Sequence, residues 1–453
     1  MAHHELLIIG TGSGNSILTP DFDDVDVAIV ERDDVFGGTC LNRGCIPSKM
    51  FVYAADVAYQ AAHSAHLGLD TQFNRADWPA IRDRVFDRID PIAAGGKAYR
   101  EGLDHVTVYQ GDARFVGHKS LEVNGEVHTA DTVVLAAGAR PMIPDVPGLA
   151  DVGFHTSDTI MRIDALPERL LVIGGGFIAC ELSHVFGSFG SQITMLVRGD
   201  TLLRFEDDEI AQRYTELSRR RFDVRGHTQV LAARRVGREI ELDISTNGKH
   251  RTLRGDMLLV ATGRDPNGHQ LGVEETGVAL DAHGYVVTDE HLRTNVPGIW
   301  ALGDICHAAQ LKHAANADAR IVAHNIAHPD ELRSIDRRLL PHAVFGYPQV
   351  ASVGATERDL SRDGVPYISV THDYAGAAYG WAMEDTTSFC KLLAHQHTRQ
   401  LLGAHIIGPQ ASTLIQQLIQ GMRFGQTVDQ MARDQYYIHP ALNEVVEQAL
   451  LEL

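Results

Sequence analysis

No stretch of this 453-residue sequence holds the roughly 20 consecutive apolar residues that a membrane-spanning helix requires. The opening MAHHELLIIG has no basic leader, and its apolar stretch is too short for a secretory signal. A cytoplasmic location is therefore the expectation. Positive charge is scarce: 40 Lys and Arg stand against 59 Asp and Glu, a formal net charge of −19. Nucleic acid and anionic membrane surfaces attract proteins with a basic excess, so neither is an expected partner. The surplus acid serves solubility. Short repeats and low-complexity tracts are missing as well. What remains, 44% hydrophobic and 22% charged, is the composition of a globular protein, and the length asks for two to four domains.

Cysteine is rare too, with five in the whole chain, yet two of them lie five residues apart in GGTCLNRGCIPSK at 37–49. Zinc needs about four ligands. Cys180, Cys306 and Cys390 are isolated from one another, and the 24 histidines show no ligand spacing, so no metal is expected. A structural disulfide closing so short a loop would remove little entropy from the unfolded chain. In a reducing compartment, a redox-active pair made of Cys40 and Cys45 fits best. Cys180 and Cys390 read as packed core thiols, while Cys306 directly follows an acid, Asp304.

The chain repeats one pattern. Residues 5–9 read as a buried strand running into GTGSGN at 10–15, and 25–31 as a second strand ending in Glu31. A strand follows in TVVLAAGARP at 132–141. The pattern then restarts with a strand at 170–173, glycines at 174–176, a helix from Phe177 and a strand at 192–197, closing with DMLLVATGRDPN at 256–267. A further strand with an acid, TNVPGIWALGD at 294–304, comes only afterwards, so the second unit is inserted in the first. From about 337 the texture changes to hairpin-like alternation and a long helical stretch at 410–425, a separate C-terminal domain.

Each glycine loop has a physical reading. Gly10, Gly12 and Gly14 lie between a strand and an expected helix, with Glu31 at 21 residues' distance from Gly10. Such glycines let backbone N–H groups approach a pyrophosphate, and the acid binds ribose hydroxyls. Asn15 occupies the third fingerprint position, which leaves the demand for close packing to Gly14. The second loop, with Gly174, Gly176, Phe177, Ile178 and Ala179, fits G-x-G-x-x-A. Val197 stands where an acid would bind a ribose 2′-hydroxyl, and Arg198 and Arg204 follow. Two guanidiniums suit a 2′-phosphate, so this pocket is expected to prefer NADP(H).

Together with GGGFIACE at 174–181, ATGRDPN at 261–267 and HPALNE at 439–444, these motifs resemble, in order and over essentially the whole length, the glutathione reductase-like flavoprotein disulfide reductases. The resemblance implies an α/β fold with two Rossmann-like dinucleotide-binding domains, the second inserted in the first, and a C-terminal α+β dimerisation domain. The corresponding boundaries are 1–148 with 266–336 for FAD, 149–265 for NADPH, and 337–453 for the interface domain. It implies FAD with Glu31 on the adenosine ribose and Asp304 on the ribityl chain, and NADPH in the second site. Further cofactor contacts are implied at Gly38, Thr39, Ala137, Gly138, Gly263 and Gly303. Cys45 becomes the thiol against the flavin and Cys40 the interchange thiol facing the substrate. Lys49 is expected near the flavin N5, paired with Glu181, and Phe177 replaces a tyrosine that often gates the nicotinamide. His439 becomes the acid–base, oriented by Glu444, and an imidazole titrates in the range that role requires. A homodimer with active sites shared between chains is implied as well.

Four further stretches, GTGSGNS at 10–16, VFDRIDPIA at 85–93, HTSDTIMRI at 155–163 and AYGWAMEDT at 378–386, resemble the branch that reduces mycothione, the disulfide of mycothiol. GCIPSK also suits a dihydrolipoamide dehydrogenase, although such enzymes usually carry the acid that Val197 replaces. A mercuric, quinone or other NAD(P)H-dependent flavoprotein reductase and a flavin-bearing binding subunit without turnover are the remaining alternatives. The chain has no extra C-terminal cysteine pair for mercury, and the intact set of Cys40, Cys45, His439 and Glu444 argues against the binding subunit.

Overall fold

The computed structural model describes residues 2–453. The chain divides into two compact units, one built from residues up to 48, 82–142 and 263–336, the other from 49–81, 143–262 and 337–453. Residues 49–81 thus group with the second unit, although they lie inside the block 1–148 expected for FAD. Among the described residues no helix is long and apolar enough to cross a membrane.

In the first unit the strand Ala2–Ile9 pairs in parallel with Val27–Glu31 on one side and with Glu126–Leu135 on the other. Val106–Gln110 extends one edge in parallel, and Ile299–Ala301 pairs in parallel with Glu126–Leu135. The antiparallel strands Ser120–Val123 and Ala113–Gly117 complete seven strands. The period of two along a strand divides the core. Leu6 and Ile8 face a cluster with Val134, Trp300 and the helix residues Ala319, Val322 and Ala323. Leu7 and Ile9 face another with Val133, Leu135, Phe115 and Leu121. Burial on both faces explains the unbroken apolar runs that marked these strands in the sequence.

One expectation fails here. No α-helix follows the first glycine loop, which leads only into 3-10 turns at Gly14–Ser16 and Pro20–Phe22. Residues 16–26 are all the chain has before the next strand, close to the lower limit for a helical crossover, and Pro20 interrupts them. Ile17 and Phe22, both buried, fill the sheet face that a helix would cover.

The second unit holds three sheets. Four parallel strands run in the order Asp223–Arg225, Gln192–Leu196, Arg169–Ile173 and Met257–Val260, with the helix Phe177–Ser188 after the second glycine loop. Thr228–Val236, Glu239–Thr246 and Lys249–Gly255 form an antiparallel meander. The alternation after 337 becomes a five-stranded antiparallel sheet, His342–Val344, Val350–Gly354, Leu401–Ile407, Phe389–His395 and Tyr367–Asp373. The helices Ala411–Arg423 and Asn443–Glu452 cover it, burying Leu414, Leu418, Val445 and Val446 against Leu392 and Ile406.

Candidate active site

The first glycine loop is shaped by what its glycines touch. Gly10 has φ +103°, and a Cβ there would stand 2.4 Å from the Ala136 carbonyl oxygen. A Cβ on Gly14 would stand 2.8 Å from the Ala136 Cβ and 3.0 Å from Ile8, so Gly14 carries the close packing that Asn15 leaves aside. A Cβ on Gly38 would lie 2.6 Å from the Gly12 Cα, which brings the cysteine segment onto the loop. Asn15 instead binds Arg100, whose Nε and Nη2 donate to its Oδ1 at 2.7 Å and its carbonyl at 2.9 Å.

Glu31, buried at its strand end, accepts from the Thr11 amide at 3.0 Å, from the Thr11 hydroxyl and from the Asp33 amide at 3.0 Å. Two carboxylate oxygens have about four acceptor positions, which leaves room for ribose hydroxyls. Ala137 and Gly138 follow the strand Glu126–Leu135, and their carbonyls accept from Asn267, from its side chain at 2.8 Å and its amide at 3.1 Å. Gly263 accepts from the Met142 amide at 3.0 Å, and the Gly303 amide donates to Asp318 at 3.0 Å. Asp304, in the turn Gly303–Ile305, has its carboxyl pushed up by burial, against the opposing charges of Arg264 and Lys312. A loop whose glycines admit close backbone approach, an acid at the next strand end and a second acid at Asp304 form a donor and acceptor set that fits FAD.

Cys40 lies in the short helix Gly38–Asn42 beside Thr39, and Cys45 is the first residue of the helix Cys45–His63. Cys40 is half-buried and Cys45 exposed. A hydrogen bond with Cys45, burial and the Cys45 charge push the Cys40 thiol far above its usual range, with Lys312 opposing. Negative charge on Cys45 opposes loss of the Cys40 proton, so the two sulfurs do not ionise independently. The helix that starts at Cys45 favours that charge, because its amide dipoles are positive at this end.

In the second unit the Lys49 ammonium donates to Glu181 Oε2 at 2.6 Å and lies 4.7 Å from the Phe345 ring centroid. Glu181, 4% exposed, also accepts the Phe345 amide at 2.9 Å on Oε1. Gly174 has φ +135°, and a Cβ there would stand 2.2 Å from the Ala261 carbonyl oxygen. Gly176 precedes the helix that Phe177 and Ile178 open, with Phe177 exposed. Val197 is buried beneath Gly175, whose added Cβ would meet it at 2.9 Å. Arg198 and Arg204 are exposed, and among the described residues neither forms an ion pair; Arg204 lies 4.6 Å over the Phe205 ring. His439 is exposed, its Nδ1 2.7 Å from Glu444 Oε1, while Glu444 Oε2 accepts the Ala441 amide at 3.2 Å. That contact holds the Glu444 carboxyl below the usual range.

Cys180 and Cys390 are buried, and burial pushes both thiols up, as inert packing groups require. The Cys306 thiol donates to the Gly303 carbonyl at 3.4 Å. Sequence reasoning missed Thr11, whose hydroxyl also accepts the Gly37 amide at 2.9 Å, and Lys312, whose ammonium donates to Ser13 Oγ at 2.8 Å. Thr11 was within sight, between the first two glycines. Lys312 had no signal, being 299 residues from its partner.

The chain is similar to known proteins over its whole length. Residues 4–319 match the model for pyridine nucleotide-disulphide oxidoreductase, and residues 340–450 its dimerisation domain. The chain is 45% identical to mycothione reductase of Mycobacterium tuberculosis over 100% of both chains. It is 30% identical to a mercuric reductase of Staphylococcus aureus, covering 94% of this chain and 78% of that one. Against dihydrolipoyl dehydrogenase of Bacillus subtilis the identity is 29%, covering 98% and 95%. Among solved structures, the HOCl-induced flavoprotein disulfide reductase RclA from Escherichia coli, as its Cu(II) complex, matches with TM-score 0.89 and 26% identity over 100% of each chain. The chain belongs to the pyridine nucleotide-disulphide oxidoreductases and is a flavoprotein disulfide reductase that uses FAD and NAD(P)H.

Proposed function

We propose that this enzyme reduces mycothione to two molecules of mycothiol with NADPH, through Cys40 and Cys45, as a homodimer. The observation that carries the substrate is the 45% identity to mycothione reductase over the whole of both chains, against 30% or less for the Staphylococcus mercuric reductase and the Bacillus dihydrolipoyl dehydrogenase. The exposed Arg198 and Arg204, without ion pairs among the described residues, and the buried Val197 support NADPH over NADH. The boundaries proposed for the FAD, NADPH and interface domains are those expected from the motifs.

The chemistry FAD supplies when bound is the relay of two electrons from NADPH to the cysteine pair. The residues of the chain do the rest. Cys40 attacks one sulfur of the substrate disulfide, forming a mixed disulfide and releasing the first mycothiol. Cys45 then attacks Cys40, releasing the second thiol and closing the Cys40–Cys45 disulfide. The balance is one NADPH, one proton and one disulfide consumed, one NADP⁺ and two thiols formed. Because Cys40 holds its proton tightly, it needs a base, and His439 is proposed to take that proton and return it to the leaving thiolate. Glu444 fixes the imidazole tautomer and stabilises its cation. Lys49, held by Glu181, is proposed to serve the flavin side one turn beyond Cys45 in the same helix.

His439 belongs to the segment that matches the dimerisation domain, and the side chains of Tyr436 and Ile438 beside it are exposed on the single chain. This supports an active site completed by the histidine of a second copy. Two experiments test the reading. A purified sample is given NADPH with mycothione, lipoamide or mercuric ion; turnover of mycothione far above the others is expected, and a preference for either other acceptor sinks the substrate assignment. Inactive Cys40→Ser and His439→Ala chains are then mixed and allowed to exchange. Shared sites return about half the normal activity in each heterodimer, whereas sites within one chain return nothing.

A further inference from the structure

The first glycine loop lacks what usually completes a pyrophosphate site. An α-helix that starts after such a loop carries about half a positive charge at its N-terminus. Here the loop leads into a 3-10 turn of three residues, too short to sum its peptide dipoles. Two cations stand at this turn. Arg100 is half-buried and spends its guanidinium on Asn15, with contacts of 2.7 and 2.9 Å that hold the turn's shape. Lys312 opens the helix Lys312–Ala327 and reaches Ser13, between Gly12 and Gly14, at 2.8 Å. The Ser13 hydroxyl donates in turn to Asn316 Oδ1 at 3.3 Å, one turn along the same helix, so donor and acceptor fix each other.

Lys312 has two N–H donors left and, among the described residues, no carboxylate within ion-pair distance. A partly buried ammonium with no carboxylate in direct contact carries a desolvation cost, and an anion at the loop offsets it. We infer that Lys312 is a phosphate-binding residue of the flavin nucleotide site, supplying at Gly12–Ser13–Gly14 the positive charge that a following α-helix would provide. Arg100 is the positioning residue that holds the turn through Asn15. This rests on the reading that FAD occupies the first loop. The charge of Lys312 also reaches Asp304 and Cys40, which defines the rival role, service to the cysteine pair.

The experiment follows FAD release from the diluted holoenzyme by its fluorescence, for the parent, Lys312→Met and Lys312→Arg. Losing one charge-assisted contact should weaken FAD retention by roughly ten- to a hundred-fold in Lys312→Met, and arginine should restore most of it. The pH titration of the long-wavelength absorption of the two-electron-reduced enzyme is recorded in parallel. Unchanged FAD release in Lys312→Met overturns the inference, and a shifted titration with unchanged release assigns the ammonium to the cysteines instead. If Lys312→Met purifies without flavin, the arginine variant decides: retention supports the charge role, and loss in both overturns it. A parent protein that purifies without FAD would count against the flavin reading itself rather than against Lys312.

Discussion

Glu181 joins two partners that can be separated experimentally. Its Oε2 takes the Lys49 ammonium at 2.6 Å and its Oε1 the Phe345 amide at 2.9 Å, in a setting where Glu181 is 4% exposed. Glu181→Gln keeps the volume and an acceptor for the amide and removes only the charge. A hydrogen bond between charged groups is worth about 1.5–3 kcal/mol, which corresponds to roughly a ten- to hundred-fold change in rate if all of it orients Lys49 for flavin reduction. Glu181→Ala also strands the Phe345 amide and should add about 1–3 kcal/mol of instability. The assay is anaerobic stopped-flow bleaching of the flavin by NADPH, for Glu181→Gln, Lys49→Met and the double variant. If Glu181 acts through Lys49, the double variant is no slower than the slower single one, a coupling of about 1.5–3 kcal/mol. Additive losses, or a Glu181→Gln enzyme with the parental rate, would refute the reasoning.

The remaining predictions concern coenzyme choice, the thiols and pH. Neutral replacements of Arg198 and Arg204 should raise KM for NADPH about ten- to a hundred-fold each and leave NADH nearly unchanged; equal losses would show that these arginines do not read the 2′-phosphate. Cys45→Ser should abolish the long-wavelength thiolate–flavin band of the reduced enzyme, while Cys40→Ser should show that band without reduction, and the reverse pattern would exchange the two roles. His342 Nε2 lies 2.7 Å from Glu206 Oε1. Burial alone lowers the imidazole, but the Glu206 hydrogen bond and charge outweigh it and raise it above the ordinary 6.5. A raised imidazole contributes stability below its unfolded value and loses it as pH climbs through the folded value. The Tm advantage of the parent over His342→Gln should therefore shrink from about pH 5.5 to 8.5, and a flat or growing difference would contradict the ion pair.

Much of the site was legible because its determinants are local. Gly10 and Gly174 have positive φ and abut a carbonyl, so the loops demanded glycine and announced themselves. The buried parallel strands were legible as continuous apolar runs. The helix after the first loop was not, because the glycine pattern predicts it while the short segment with Pro20 prevents it. Arg100 on Asn15 had no local signature, nor did the buried Lys391, which binds Asp207, Glu209 and Glu357 at 2.9, 2.8 and 2.6 Å. Such pairs join residues far apart in the chain.

By itself the sequence determined the chemistry on offer: two thiols five residues apart, two dinucleotide loops, an acid after one and two arginines after the other. Those features depend on backbone sterics and on charge within a few residues, so spacing suffices to read them. Only the tertiary structure decided which charges meet. It set Lys391 among Asp207, Glu209 and Glu357 and Lys312 on Ser13, and among the described residues it left Arg198 and Arg204 without ion pairs. A side-chain hydrogen bond requires placement within a few tenths of an ångström, and only packing the two hydrophobic faces of each sheet brings residues hundreds of positions apart to that distance.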